Sequence, residues 1–227
     1  MVETVQLHDF IEVEYTGKLP EGVIFDTTHE DIAKKSGIFS QKTKYTSHVI
    51  CVGEGHILPG IDTKIIGKEV GKEYTLELES AQAFGKRDIK KMRIVPLNTF
   101  REHNLKPQPG LQIDVDGEIG IVSSISGGRV IVNFNHPLAG KDVIYNITLK
   151  RKITDIKEKM EYYLSTTFRI KKEAIKVTLA DNKASIEVPF ILPQQFFDAM
   201  SKRLQEIIGL TEVQITGKQT SQTAAQI

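Results

Sequence analysis

Residues 53–62 read GEGHILPGID, a run dense in backbone breakers and aliphatic side chains. It holds no nucleophile, no metal-ligand pair and no phosphate-cradling loop that finishes in Lys-Ser or Lys-Thr. Gly53-x-Gly55 lacks the third glycine of a dinucleotide fingerprint and opens no long crossover helix, so the pair reads as a turn. The strand HVICVG precedes it. After it, IDTKIIGKEVGK sets Ile61, Ile65 and Ile66 at helical spacing and stops at Gly67, which makes one short helix.

The flanking segments supply a sheet. DFIEVEY, residues 9–15, alternates acidic residues with Val13 and Tyr15 in the period of a half-buried strand and ends at Thr16-Gly17. VIFDTT is a second short strand, and residues 29–47 are polar enough for a long surface loop with one helical turn. EYTLELES returns to strict alternation, with Tyr74, Leu76 and Leu78 on one face. From about Asp88 the pattern changes. KKMRIVPLNTFREHNLKPQPG gives a brief strand, a Pro-bounded helical turn and a loop, and LQIDVDGEIGIV and GGRVIVNFN alternate around turns at Asp116-Gly117 and Gly127-Gly128. DVIYNITLKRKI is the long strand that the first part of the chain still lacks. The order therefore reads as a nested insertion that leaves near residue 87 and returns near residue 136.

In the last third, TDIKEKMEYYL places Ile156, Met160, Tyr163 and Leu164 on one helix face, with Thr154 as its cap. KVTLADNKASIEV is a hairpin about Asp181-Asn182. QQFFDAMSKRLQEIIG is a helix striped by Phe197, Met200, Leu204, Ile207 and Ile208 that closes on Gly209, and EVQIT is a final strand. The order is α-β-β-α-β, followed from Gly217 by a small, polar tail that reads as disordered.

Composition narrows the function classes. The 227 residues are 40% hydrophobic, enough for real cores, and carry a net charge of +1, so nothing at whole-chain level draws the protein to nucleic acid or to anionic membrane surfaces. Lys90-Lys91 and Lys150-Arg151-Lys152 read as solvated strand ends. Cys51 is the single cysteine, which excludes an internal disulfide and fits a reducing compartment. The start MVETVQLHDF lacks the pattern of a signal peptide and no apolar run is long enough to span a bilayer, so the expected location is the cytoplasm. None of the six histidines is paired at metal spacing, which leaves no metal and no cofactor in the reading.

What remains is a set of apolar and aromatic residues joined by tight turns: Tyr15, Phe25, Ile57, Leu58, Ile61, Phe84 and Tyr145. Each alone reads as interior. Together they carry a resemblance. VEYTGKLPEGVIFDTT, GEGHILPGIDTKIIGKEVGK, AFGKRD and NHPLAGKDVIYNITL, in that order, resemble the FKBP-type peptidyl-prolyl isomerases. The insertion between AFGKRD and NHPLAGK resembles the flap-inserted domain of the SlyD-like branch, and the last segment looks like the carboxy-terminal domain of the long archaeal members.

The resemblance implies an α+β fold in which an antiparallel half-barrel sheet wraps on a short helix, with an inserted small all-β domain and a C-terminal α-β-β-α-β domain. Its domains would be an isomerase domain of residues 1–87 and 136–154, a chaperone-like β domain of 88–135, and a C-terminal domain of 155–227; separately from the resemblance, a sheet covered by helices on one face leaves its other face or an edge open to pair with a second copy. Carried over by position, Tyr15, Phe25, Asp26, Ile57, Leu58, Ile61, Phe84 and Tyr145 would line a pocket for proline, with Ile61 as its floor. Asp26 has two readings, a carboxylate held inside by Tyr15 or a turn cap before Thr27-Thr28. Phe84 stands where the family usually carries Tyr, Tyr145 where it carries Phe, and Ile61 where single-domain members carry an aromatic.

For the insert, Met92, Ile94, Val95, Leu97, Phe100, Val130, Val132 and Phe134 exceed the needs of so small a core and are expected to present an apolar surface to unfolded chains. The implied function is a cytoplasmic peptidyl-prolyl cis-trans isomerase with chaperone activity, acting on unfolded or partly folded polypeptides that contain Xaa-Pro. The competing reading is a holdase that binds such chains with a degenerate pocket. A nucleic-acid-binding β module finds little support in the balanced charge.

Overall fold

The computed structural model describes residues 2–115 and 117–218. Asp116 of the expected turn, and the polar tail from residue 219, lie outside the described residues. In chain order the elements are β1 (Phe10–Lys18), β2 (Ile24–Thr27), α1 (Glu30–Lys35), β3 (His48–Cys51), α2 (Pro59–Lys64), β4 (Glu73–Leu78), β5 (Met92–Pro96), α3 (Leu97–Glu102), β6 (Gln112–Val115), β7 (Glu118–Ser126), β8 (Arg129–Asn133), β9 (Val143–Ile153), α4 (Ile156–Phe168), β10 (Lys176–Ala180), β11 (Lys183–Val188), α5 (Gln194–Ile208) and β12 (Glu212–Gly217). Contacts divide the chain into two units, Met1–Glu77 with Ile144–Ile227, and Leu78–Val143. Among the described residues no helix is long and apolar enough to cross a membrane.

The first unit is built on the sheet β2-β1-β9-β4, with β3 also paired to β1. β1 is long enough to hold antiparallel partners at both ends: β3 along Phe10–Val13 and β2 along Thr16–Lys18. β9 runs antiparallel to β1 over almost its whole length. This is the antiparallel half-barrel sheet with few helices. Phe10, Ile11, Val13, Ile147 and Leu149 are buried on it, and α2 adds Ile61 and Ile65, both fully buried.

As far as Lys218, the segment expected as a separate domain of residues 155–227 shares a core with the sheet of this unit. Met160, Tyr163 and Leu164 of α4 and Phe197 and Leu204 of α5 share one core with Phe10, Val49, Cys51 and Ile153 of the sheet. The reason lies in the helix stripes, whose apolar faces are too broad for the three-stranded sheet β10-β11-β12 to cover alone. The cap of α4 is Asp155, not Thr154: its carboxylate accepts the Glu158 N–H at 2.7 Å. β10 and β11 form the antiparallel hairpin, with Asp181 and Asn182 at φ 47° and 62°, and β12 joins β11 in parallel.

The second unit begins and ends outside the expected limits of 88 and 135 because the two connecting segments bind one another. Gly140 N–H donates to the Gly85 carbonyl at 2.8 Å, Ser80 N–H to the Asp142 carboxylate at 2.7 Å, and Asp88 N–H to Asn135 Oδ1 at 2.8 Å. Its sheet runs β5-β8-β7-β6. It is not all-β, since the Pro-bounded turn closes into α3 and drops Phe100 into the core with Val122, Val130, Val132 and Phe134.

Candidate functional site

Three strands converge on Gly17. The pairing register sets Asp26 of β2 on one side of it and Tyr145 of β9 on the other, and Tyr15 lies two residues away on the same face of β1. The rings of Phe25 and Tyr145 close over the glycine: a Cβ there would meet Tyr145 Cζ at 2.8 Å and Phe25 Cε2 and Cζ at 3.0 Å. Tyr145 packs against Tyr15 with ring centroids 5.7 Å apart and against Phe25, edge-on, at 5.8 Å. Such tilted contacts direct ring edges to ring faces, which fixes the cluster in orientation as well as in contact.

Asp26 sits among these rings. The Tyr15 hydroxyl and the Thr27 backbone N–H act as donors toward its carboxylate. Burial pushes its pKa up, and the neighbouring His48 together with those two donors offsets only part of that rise. The Tyr15 and Tyr145 hydroxyls are pushed well above the usual phenol range, by burial first and by the Asp26 charge second. His48 packs on Tyr15 at 6.0 Å. The packing around its ring lowers its pKa, although the residue as a whole still reaches solvent. The paired threonines of the FDTT segment anchor this corner. Thr28 exchanges backbone and hydroxyl bonds with the Tyr15 main chain at 2.9 to 3.2 Å, and Thr27 Oγ1 lies 2.8 Å from Thr16 Oγ1.

The loop from Gly53 to Leu58 is held from inside. Asp62, buried on α2, accepts Gly53 N–H on one carboxylate oxygen at 2.8 Å and Gly55 N–H on the other at 3.1 Å. His56 Nδ1 accepts the Cys51 N–H at 3.1 Å. Gly53 and Gly55 have φ values of 89° and 68°, in the left-handed region that side chains resist, and this double reversal lets both amides reach one carboxylate. The chain then presents Ile57 and Leu58, both half-buried, before Pro59 starts α2.

Of the pocket residues read from the sequence, Tyr15, Phe25, Asp26 and Tyr145 therefore stand in one cluster. Tyr15, Phe25, Asp26, Ile57 and Leu58 keep part of their surface open, whereas Ile61 is fully buried and Tyr145 nearly so. Phe84 belongs to the second unit and stacks there on His136, ring centroids 4.6 Å apart and almost parallel. Sequence reasoning missed Asp62 and His56. Both sit inside the quoted segment, and a carboxylate seven to nine residues after two glycines was the available signal for such a latch.

In the second unit the expected client surface needs correction. Phe100, Val130, Val132 and Phe134 form the core of that unit with Val122, and Val95 and Leu97 pack on it half-buried, because a small sheet covered by one short helix draws most of its apolar residues inside. Of the expected set, Ile94 is open, at 62% exposure, with Met92 half-buried. The open apolar surface lies on the other face, where Ile94 is paired with Ile131 and accompanied by Ile119 and Ile121. A cavity of about 380 Å³ also opens between α3 and β6, lined by Val95, Phe100, Leu105, Ile113 and Val115 with Thr99, His103 and Asp114.

A profile of the FKBP-type peptidyl-prolyl cis-trans isomerases matches residues 2–101, and one described as FKBP26, IF domain, matches residues 93–138. Over 150 residues the chain is 28% identical to the short-type peptidyl-prolyl cis-trans isomerase of Methanocaldococcus jannaschii, covering 66% of this chain and 95% of that protein. It is 30% identical over 111 residues to a probable FKBP-type 16 kDa peptidyl-prolyl cis-trans isomerase of Pseudomonas fluorescens, covering 47% and 70% respectively. With the FKBP-type isomerase SlyD of Treponema pallidum it shares 29% identity over 109 residues, 45% of this chain and 61% of that protein.

Proposed function

The chain belongs to the FKBP-type peptidyl-prolyl cis-trans isomerase family, and on that footing we propose that it accelerates rotation about Xaa-Pro bonds in unfolded or partly folded polypeptides of the cytoplasm, with the inserted unit acting as a chaperone that captures them. The observation that carries this reading is the cluster of Tyr15, Phe25, Asp26 and Tyr145 around Gly17. It is an apolar cradle with a carboxylate, and the Gly53–Leu58 loop would bring it two half-buried aliphatics, Ile57 and Leu58.

Such a site needs no nucleophile. Rotation must overcome a barrier of roughly 18–20 kcal/mol set by resonance that places charge on the carbonyl oxygen. At the twisted transition state that resonance is lost and the bond is less polar. A surface that holds the prolyl ring away from water disfavours the planar form relative to the twisted one, and each gain of about 1.36 kcal/mol is tenfold in rate. Phe25, Ile57 and Leu58 would bind the ring and its neighbours, with Tyr145 and Ile61 as the support behind. Asp26 would orient Tyr15 and polar substrate edges. A holdase with a degenerate pocket is not favoured, because the chain belongs to the isomerase family and its aromatic residues and carboxylate come together around Gly17.

For the inserted unit, the isoleucine row and the α3–β6 cavity are the surfaces we assign to client capture, in place of the residues that fill its core. Two weak sites on one chain raise the local concentration of an Xaa-Pro segment at the isomerase site. Pairing of two copies through the C-terminal sheet would use the edges of β10 or β12, since its open face carries Thr178, Ser185, Gln214 and Thr216.

The test is isomerisation of a short Xaa-Pro peptide alongside proline-limited refolding of a protein. Removing residues 89–134, so that Asp88 and Asn135 remain to close the gap, should leave the peptide reaction largely intact and slow catalysed refolding sharply. Equal losses in both would count against a capture role, and a wild-type protein inactive on the peptide would refute the isomerase reading.

A further inference from the structure

Glu54, between the two left-handed glycines, is gripped by helices from the far end of the chain. Its side chain is 7% exposed, and both oxygens are taken. Arg203 of α5 donates through Nη2 to Oε1 and through Nε to Oε2, the latter at 3.2 Å. Tyr163 of α4 donates its hydroxyl to Oε2 at 3.0 Å, and His8 Nε2 lies 3.7 Å from Oε1. The Tyr163 ring also packs on His56, with centroids 5.1 Å apart. Four consecutive loop residues are thus pinned alternately: Gly53 and Gly55 by Asp62 from within, Glu54 and His56 by the C-terminal helices from without.

The arrangement is specific to this pair of charges. On α5 Arg203 is flanked by Met200 and Ile207, and its guanidinium also donates through Nη1 to Glu206 of the same helix at 3.0 Å. Burial alone would push the Glu54 carboxyl up, but the bonds from Arg203 and Tyr163 and the Arg203 charge more than offset it, so the group stays ionised. A bidentate guanidinium fixes a carboxylate in direction as well as in place, which a lysine cannot do.

We propose that Arg203 and Tyr163 are positioning residues for the isomerase site. They hold Glu54 and His56 and thereby set the backbone that presents Ile57 and Leu58, so the C-terminal helices govern how well the loop is prepared for a substrate. The catalytic consequence rests on the isomerase reading, whereas the clamp itself does not.

Releasing the clamp leaves the reacting surface intact but lowers the fraction of loop in the binding-competent form, which raises KM without changing kcat. Arg203→Gln is expected to raise KM for a short Xaa-Pro peptide by roughly three- to tenfold with kcat within about twofold. Arg203→Lys should recover part of the loss, and Tyr163→Phe, which keeps the ring on His56, should show a smaller rise. Lys218→Gln, which breaks the exposed pair with Glu187, is the control and should change nothing. Amide hydrogen exchange supplies a second readout: Gly55, His56, Ile57 and Leu58 should exchange faster in Arg203→Gln while β1 and β9 keep their protection.

Wild-type KM and loop exchange in Arg203→Gln would overturn the proposal, as would a rise in KM accompanied by equal loss of protection across β1 and β9. If that variant does not fold, Arg203→Lys and Tyr163→Phe decide in its place, and wild-type values in both overturn it. A wild-type protein inactive on the peptide would strike the isomerase reading, with the exchange data still deciding whether the clamp orders the loop.

Discussion

Asp62→Asn tests whether the glycine loop is held in the way its hydrogen bonds indicate. The substitution keeps the volume and one carbonyl oxygen but replaces the other acceptor with an NH2 group. One of the two bonds, 2.8 Å from Gly53 N–H or 3.1 Å from Gly55 N–H, then becomes donor against donor. Hydrogen bonds to a charged acceptor contribute about 1.5–3 kcal/mol. Both glycines are exposed, so the released amide can turn to water and the loss falls near the lower end of that range, about 1.5 kcal/mol. In a chain of this length that lowers the unfolding midpoint by roughly 3–6 °C. The same free energy, spent on loop order, caps the fall in kcat/KM at roughly tenfold. Thermal unfolding by circular dichroism and isomerisation of a short Xaa-Pro peptide measure the two effects. An unchanged midpoint and rate would refute the latch, and a lower midpoint with an unchanged rate would show that the loop does not serve the site.

Other outcomes follow from the same geometry. Gly17→Ala drives a methyl into the Phe25 and Tyr145 rings, an overpacking that costs about 1–3 kcal/mol, and it should lower peptide isomerisation more than any exposed Gly→Ala change; a fully active Gly17→Ala protein would mean the rings are free to part. Glu54 has a pKa held below its ordinary 4.5, so it contributes stability above that pH and loses it as pH falls through the lower folded value. The stability gap between wild type and Glu54→Gln should therefore narrow below pH 4.5 in acid unfolding curves; a gap that widens on acidification would reverse the sign of the shift.

Much of the sheet was legible because it rests on period-two alternation and on glycine stops. EYTLELES becomes β4, and α5 ends at Gly209 as its spacing requires. The four ordered motifs supplied the aromatic residues and the carboxylate that the fold gathers around Gly17. Partnership was harder to read. A helix stripe says that a face is buried but not against what, so the packing of α4 and α5 on Phe10, Val49 and Cys51 could not be read from TDIKEKMEYYL or QQFFDAMSKRLQEIIG. In the insert, composition showed an excess of apolar residues but not which face of each strand was filled, and Phe100, Val130, Val132 and Phe134 went to the interior while Ile94 stayed out. The Glu54 clamp left no such sign, since Arg203 is 41% exposed and has Glu206 on its own helix as a partner.

The central claim is that the cradle of Tyr15, Phe25, Asp26 and Tyr145 lowers the barrier to prolyl rotation. The direct measurement is refolding of a protein limited by one prolyl bond, with wild type compared against Phe25→Ala and Asp26→Ala and the folded state of each checked in parallel. The account predicts acceleration by the wild type and a loss of about tenfold or more in both folded variants. Refolding at the spontaneous rate with wild type present, or full acceleration by either variant, would contradict it.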